Sequence, residues 1–420
     1  MPSPENSPAP TLQPFSPGEV LANILCSMAM FTSMAVVTPT LEEVVRARFV
    51  SAPDAVKLFT MAGSLPQLLF IGVLAGLWSD RLGRRYPLIL PCALITGLLS
   101  MAIPLVESLP ALIAMRLVDG ATGIVALGLI MAKMLDFSTR WPERRATIMA
   151  AYGGSIPASY LLGNLLTVAL APQGVEVIYA VGGGSVVLSV LLLLAFSRRG
   201  ETGMEMRHNR QKESFWKSLR TLPRIGEALI FGFADKLVVA ATVILTSRAM
   251  AELYEREGSR AAGGVLALYF LGFLLFSPAT GWAFRTLGLQ PTLYLSSLLH
   301  GVALFLMPQL GLTGFAVLMA VGGALTPFQF LGCLAILGQR SESGVTGAHS
   351  QVFNYMGSIG MVVGFPLFAA LADADPSLKL AYGMAGTAQV VAVFLAVVGL
   401  GFVRMGARWR QISTQGIAKF

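Results

Sequence analysis

Twelve stretches of roughly 20 mostly apolar residues fill this chain, and a stretch of that length can cross the hydrocarbon core of a bilayer as one helix. They fall at 19–38, 56–78, 86–105, 110–134, 146–170, 175–196, 223–248, 263–284, 291–309, 312–338, 347–372 and 380–403. Pro39, Pro110, Pro142, Pro172, Pro291 and Pro376 punctuate the breaks between them. A membrane β-barrel would instead show polar alternation in shorter strands, and runs such as Val186–Phe196 exclude it. The expected fold is an all-α membrane protein with twelve transmembrane helices.

Composition agrees with that expectation. Charged residues make up only 12% of the chain, against about 25% in a soluble domain, so most of the surface must face lipid. The formal net charge of +8 belongs to loops on one side of the membrane. No basic stripe interleaved with aromatics suggests base stacking, and no nucleic acid is expected as a partner. The sequence contains no Gly-Lys dipeptide and so lacks the usual phosphate-loop lysine. Its energy source is then an ion gradient, another subunit or the gradient of the substrate itself. Cys26, Cys92 and Cys333 lie in apolar runs without ligand spacing, and His300 and His349 are isolated. No metal and no cofactor are expected.

Orientation follows from the basic residues. With both termini cytoplasmic, 21 of the 30 Lys and Arg fall inside, 7 fall outside and Arg116 and Lys236 fall within spans. Lys133 and Arg340 are counted among the inside loop charges. The N-terminal tail, which has no Lys or Arg, dissents, but the total favours termini in the cytoplasm. Five segments result: a disordered tail at 1–18, a six-helix bundle at 19–196, a basic linker at 197–222, a second six-helix bundle at 223–403 and a basic tail at 404–420.

The two bundles echo one another. Residues Gly76–Arg85 read G-L-W-S-D-R-L-G-R-R, and Gly281 and Gly288 repeat Gly76 and Gly83 at an offset of 205. Tyr152-Gly153-Gly154-Ser155-Ile156 returns as Tyr355-Met356-Gly357-Ser358-Ile359 at an offset of 203. Parallel repeats place a substrate between the halves, near the midplane, with rocking to alternate access. With its 6 + 6 spans, basic central linker and G-x-x-x-D-R-x-G-R-R segment, the chain resembles the major facilitator superfamily over nearly its whole length, and within it the proton-coupled efflux branch.

Gly76 and Gly83 are expected to permit turns, with Asp80 just past the end of the second span. The resemblance implies that Asp80 braces the cytoplasmic side shut, with Arg81, Arg84 and Arg85 as partners or lipid contacts. The alternative is that these charges only set topology. Arg285 takes the place of Asp80 in the second half.

Charges within spans are rare and usually functional. Arg116 and Asp119 lie three apart, share a helix face and can pair. Arg116 matches the span-four arginine of proton-coupled relatives, although Asp119-Gly120 stands where their pattern has Gln-Gly. Asp235 and Lys236 are adjacent, about 100° apart around a helix, and are expected to face different neighbours rather than each other. All four are candidates for proton coupling, or alternatively for structural pairing. Asn23, Gln67, Asn164, Gln329, Asn354 and Tyr355 could line a substrate cavity, or serve helix packing.

Span five carries Pro157 and glycines, but not in the order usual for drug–proton antiporters of that superfamily. The reading that results is a monomeric secondary transporter of the inner membrane, not an enzyme. Its partners would be the lipid bilayer and a small organic solute such as a drug-like compound, siderophore or metabolite, exported on a proton gradient. Proton-linked uptake and a non-transporting membrane sensor are the alternatives.

Overall fold

The computed structural model describes residues 16–417 apart from 47, 53, 70, 83, 198–221, 256–258 and 341–345. Most of the expected N-terminal tail, nearly all of the linker, Gly83 and the side chains of Asp80 and Arg81 lie outside the described residues.

Fourteen α-helices are found among them. The first half holds α1 (Pro17–Val37), α2 (Ala55–Leu68), α3 (Ile71–Leu82), α4 (Tyr86–Ala102), α5 (Leu109–Arg140), α6 (Arg145–Leu170) and α7 (Val175–Ser197). The second holds α8 (Gly226–Arg248), α9 (Ser259–Phe276), α10 (Ala279–Thr286), α11 (Leu289–Leu306), α12 (Leu312–Arg340), α13 (Thr346–Ala374) and α14 (Lys379–Ile417). Eleven helical stretches among the described residues are long and apolar enough to cross a membrane. The twelfth crossing is shared by α2 and α3, of 14 and 12 residues, each too short alone.

The end of α2 carries a proline and a tightened last turn. Pro66 sits in the last turn of α2 and brings no amide hydrogen to it. The amide of Leu69 then closes a tighter bond back to the Pro66 carbonyl, with Leu69 at ψ 13°. The second half repeats the arrangement, since α9 stops at Phe276 and α10 restarts after Pro278. The split also corrects the expectation for the glycine segment. Gly76 and the backbone of Asp80 lie inside α3, and Gly281 lies inside α10. Only the second glycine position makes a turn in the repeat, where Gly288 adopts φ 88°. The residues between the glycines, such as Leu77 and Leu82, are ordinary helix formers, and they carry the helix through the first glycine.

Helices run alternately between two ends of the bundle. Here the near end is where α1 and α8 begin, and the far end is where they finish. Within the first half α1 packs on α6 and α7, α4 on α5 and α7, and α2 on α5. Within the second, α8 packs on α13 and α14, α9 on α12, and α11 on α12 and α14. The α2–α5 and α9–α12 crossings are matching close approaches. A side chain at Gly120 would strike the Gly63 carbonyl, and one at Gly323 the Tyr269 carbonyl. Small residues at such crossings let membrane helices touch backbone to backbone.

The seam between the halves is made by α6 against α9 and by α2 against α13. Its core is not uniform along the membrane normal. At the far end one cluster joins both halves, from Val37, Leu41 and Phe59 to Leu245, Met250, Phe365 and Tyr382. At the near end the halves keep separate clusters, one around Ile130, Met134 and Phe137, the other around Phe231, Leu293 and Ile336. At the far-end turn before α14, Asp375 accepts from the Ser377 hydroxyl at 2.6 Å and the Leu380 amide at 2.9 Å. Those donors hold its carboxyl below the usual carboxylate range.

Candidate functional site

The two charged pairs read from the sequence sit at one level, where the joined cluster ends and the separate clusters begin. On α5, Leu112 belongs to the joined cluster and Val125 to the near-end one, with Arg116 and Asp119 between them. On α8, Leu237 belongs to the joined cluster and Ala234 to the near-end one, with Asp235 and Lys236 between.

Arg116 and Asp119 form the pair that their spacing allows, with the Arg116 guanidinium donating to Asp119 Oδ2. Lys236 and Asp235 also pair, Nζ to Oδ2 at 3.3 Å. This corrects the expectation that neighbours 100° apart would turn to different partners. The angle fixes where the two Cβ atoms point, whereas the four-carbon stem of lysine lets the ammonium swing back to its neighbour. Each half thus offers one acid–base pair held on a single helix.

Aromatic rings surround these charges. Arg116 lies over the Phe59 ring at 5.2 Å and Lys236 over Phe330 at 5.5 Å, both within cation–π range. Tyr160 of α6 stacks on Phe270 of α9 at 4.8 Å and tilts against Phe31 of α1. Tyr160 and Phe270 come from opposite halves, so this stack crosses the seam.

The softer polar residues separate into two groups. Asn354 is exposed yet reaches Met131 of the opposite half at 3.9 Å, which places it on the seam. Asn164 donates to its own Tyr160 carbonyl at 2.7 Å, and its backbone carbonyl abuts Gly263 across the seam. Gln67 and Tyr355 are half-buried on the seam helices α2 and α13. The other two amides are engaged within their own halves. Asn23 donates to the Glu19 carbonyl at 2.9 Å and to the Tyr86 hydroxyl at 2.8 Å. Gln329 donates to the Ser296 carbonyl at 3.2 Å and meets His300 Nδ1 at 3.2 Å.

Two sets of charges escaped the sequence reading. The first is a repeated near-end triad. Glu19 accepts from the Tyr86 hydroxyl at 2.7 Å and pairs with Lys133 at 3.3 Å. Glu227 accepts from the Tyr294 hydroxyl at 2.7 Å and pairs with Arg340 at 2.8 Å. Glutamate and tyrosine recur at an offset of 208 and the cation at 207. Lys133 is therefore a buried residue of α5, and Arg340 is an ion-pair partner, where the sequence reading had counted both as loop charges. The second set closes the far end. Lys57 reaches Asp373 at 3.1 Å and Arg46 reaches Glu252 at 3.9 Å, both across the seam. Arg248 ties Glu252 to Asp373, at 2.7 Å to each. Glu43 accepts the Ser259 amide across the same seam at 2.9 Å.

In the glycine segment, Arg84 is exposed and Arg85 is buried. Arg85 pairs with Asp136 of α5 at 2.7 Å and donates to Ser79 at 3.3 Å, tying the start of α4 to the end of α5. The expected bracing contact of Asp80 lies outside the described residues.

Comparison with known proteins adds a family and two similar folds. Residues 24–254 match the family model described as Major Facilitator Superfamily. A mutant of the nucleoside transporter NupG has a similar structure, with a TM-score of 0.73 at 12% identity, over 91% of this chain and 99% of that one. The human organic anion transporter MFSD10 (TETRAN) is similar with a TM-score of 0.70 at 16% identity, over 91% of this chain and all of that one. No curated protein sequence matches the chain.

Proposed function

The chain belongs to the Major Facilitator Superfamily, and from that premise we propose that it is a secondary transporter that carries a small organic solute across the membrane by alternating access. The observation that carries this reading is the uneven seam. The halves share one apolar core at the far end and keep separate ones at the near end, and the paired charges sit at the level where the shared core stops. That is the arrangement of a site shut toward one face, between repeats that rock about it. The excess of basic residues supports a cytoplasmic near end and cytoplasmic termini. A bacterial-style inner membrane is the location this reading assigns, and a monomer the acting unit. The similar structures are a nucleoside transporter and an organic anion transporter, which supports a small organic solute here.

For the driving force the reading is proton coupling, with export as the direction. Asp119 and Asp235 support it, because a buried carboxylate beside a cation can trade that partner for a proton. No cofactor beyond the gradient is required. Purified protein in proteoliposomes tests the proposal. Solute should move only with an imposed pH gradient, toward the side opposite the termini, and Asp119→Asn or Asp235→Asn should uncouple solute from proton flux. Solute flux that is indifferent to the gradient would remove proton coupling. Flux toward the termini side would replace export by uptake, and binding without any flux would replace transport by sensing.

A further inference from the structure

The far-end ion pairs border a small cavity on the seam, with a volume of about 30 Å³. Both halves line it, with Leu41, Arg46 and Lys57 on one side and Arg248, Ala369 and Asp373 on the other. The charged groups on its wall are three cations and one carboxylate. Asp373 takes Lys57 at 3.1 Å on one oxygen and Arg248 at 2.7 Å on the other. Glu252 and Asp54 also pair with these cations, but neither lines the cavity. We infer that a small inorganic anion of halide size binds in this cavity and holds the far end shut. Such a site goes beyond solute transport and does not depend on its direction or coupling.

Size and charge together select the occupant. One water needs about 10–15 Å³ of such space, so the cavity takes one or two waters or a single monatomic ion, and no organic solute. A cation would face three like charges on the wall. Water fits, but it leaves the excess of positive charge unanswered. An anion answers it. An ammonium has three N–H donors and a guanidinium five, whereas Lys57 meets two carboxylates, Asp54 and Asp373, and Arg248 meets two, Glu252 and Asp373. Each therefore has donors to spare for a charge-assisted bond. The Arg248 side chain is only 16% exposed, so salt screens its charge less than that of a surface arginine. Lys57 belongs to the first half and Arg248 to the second, and their like charges oppose closure of the seam. An anion between them attracts both and turns that repulsion into a tie.

Bromide, compared with the bulky anion gluconate at constant ionic strength, tests the site on the full-length protein in detergent. Bromide should raise the thermal midpoint in a saturable way and shorten spin-label distances across the far end, and its anomalous scattering in crystals should fall in this cavity. Three variants read the site from different sides. Lys57→Gln should weaken bromide binding about tenfold, the scale of one bond to a charged group. Asp373→Asn removes the carboxylate from the wall and should tighten binding, the opposite of what loss of a purely structural ion pair would do. Ala369→Val fills the cavity while keeping every charge and should abolish the bromide effect. Equal responses to bromide and gluconate would reduce the effect to screening and overturn the proposal. So would weaker binding in Asp373→Asn, undiminished binding in Ala369→Val, a cavity that holds water only, or bromide found only elsewhere on the surface as an adventitious ion.

Discussion

The two near-end triads are built from the same parts, yet one is sealed and the other open. In the first half, Glu19 and Lys133 have side chains 8% and 6% exposed, and the ammonium lies 4.6 Å over the Tyr86 ring and 5.2 Å over Phe137. In the second, Glu227 is 2% exposed but Arg340 is 29% exposed at the end of α12. The surroundings differ in step. Asn23, which bonds Tyr86, is answered by Phe231, which stacks on Tyr294 at 5.7 Å. Gln290 supports Glu227 at 3.1 Å from the position that Leu82 holds in the first half. Both triads tie the starts of two helices to the end of a third. What differs is whether the cation has water to retreat to, and that should set how strongly each half depends on its glutamate.

The largest expected effect follows directly. Glu19→Ala strands a buried ammonium and should cost about 3–5 kcal/mol, the range for breaking a buried pair. Glu227→Ala lets Arg340 turn to solvent and should cost about 1–2 kcal/mol, the scale of the bonds lost. Thermal unfolding of the two purified variants measures the gap, and equal losses would break the comparison. Exchanging the cations sharpens it. Lys133→Arg must fit a wider head between two rings, and overpacking of that kind costs about 1–3 kcal/mol. Arg340→Lys keeps its charge at a partly wet site and should stay below about 1 kcal/mol. If the costs reverse, space around the cation is not what separates the halves. The smallest effect is expected at the far end. Asp373 touches two cations, Lys57 and Arg248, but its side chain is 42% exposed. Asp373→Asn should therefore change stability by only about 0–1 kcal/mol, while spin-label distances across the far end should widen. A large stability loss there would mean that the number of partners outweighs exposure.

Much of this architecture is legible in the sequence. Span number, the two-half plan and the Arg116–Asp119 pair follow from apolar length, offset repeats and helical spacing. Lys236 with Asp235 was misread because helical angle constrains Cβ atoms and not the reach of a lysine. Glu19 and Glu227 were passed over because an acid in the first turn of a helix is what the helix dipole favours anyway. Their echo was present in sequence, Glu19 with Tyr86 against Glu227 with Tyr294 at the same offset, but nothing local says that residues 67 apart meet. The far-end network was hidden for the same reason, since Lys57 and Asp373 come from opposite halves. The break after Leu68 escaped because hydropathy averages across a proline that hydrogen bonding cannot ignore.

The far-end cluster sets how the resting molecule behaves. For water to enter there, side chains such as Leu41, Met250 and Tyr382 must surrender partners from the opposite half, at about 25 cal/mol for each Å² of oily surface wetted. Under the proposed alternating access, an unloaded molecule should thus keep this end shut, and a compound waiting on that face would meet a closed door until cargo or ion bends the balance.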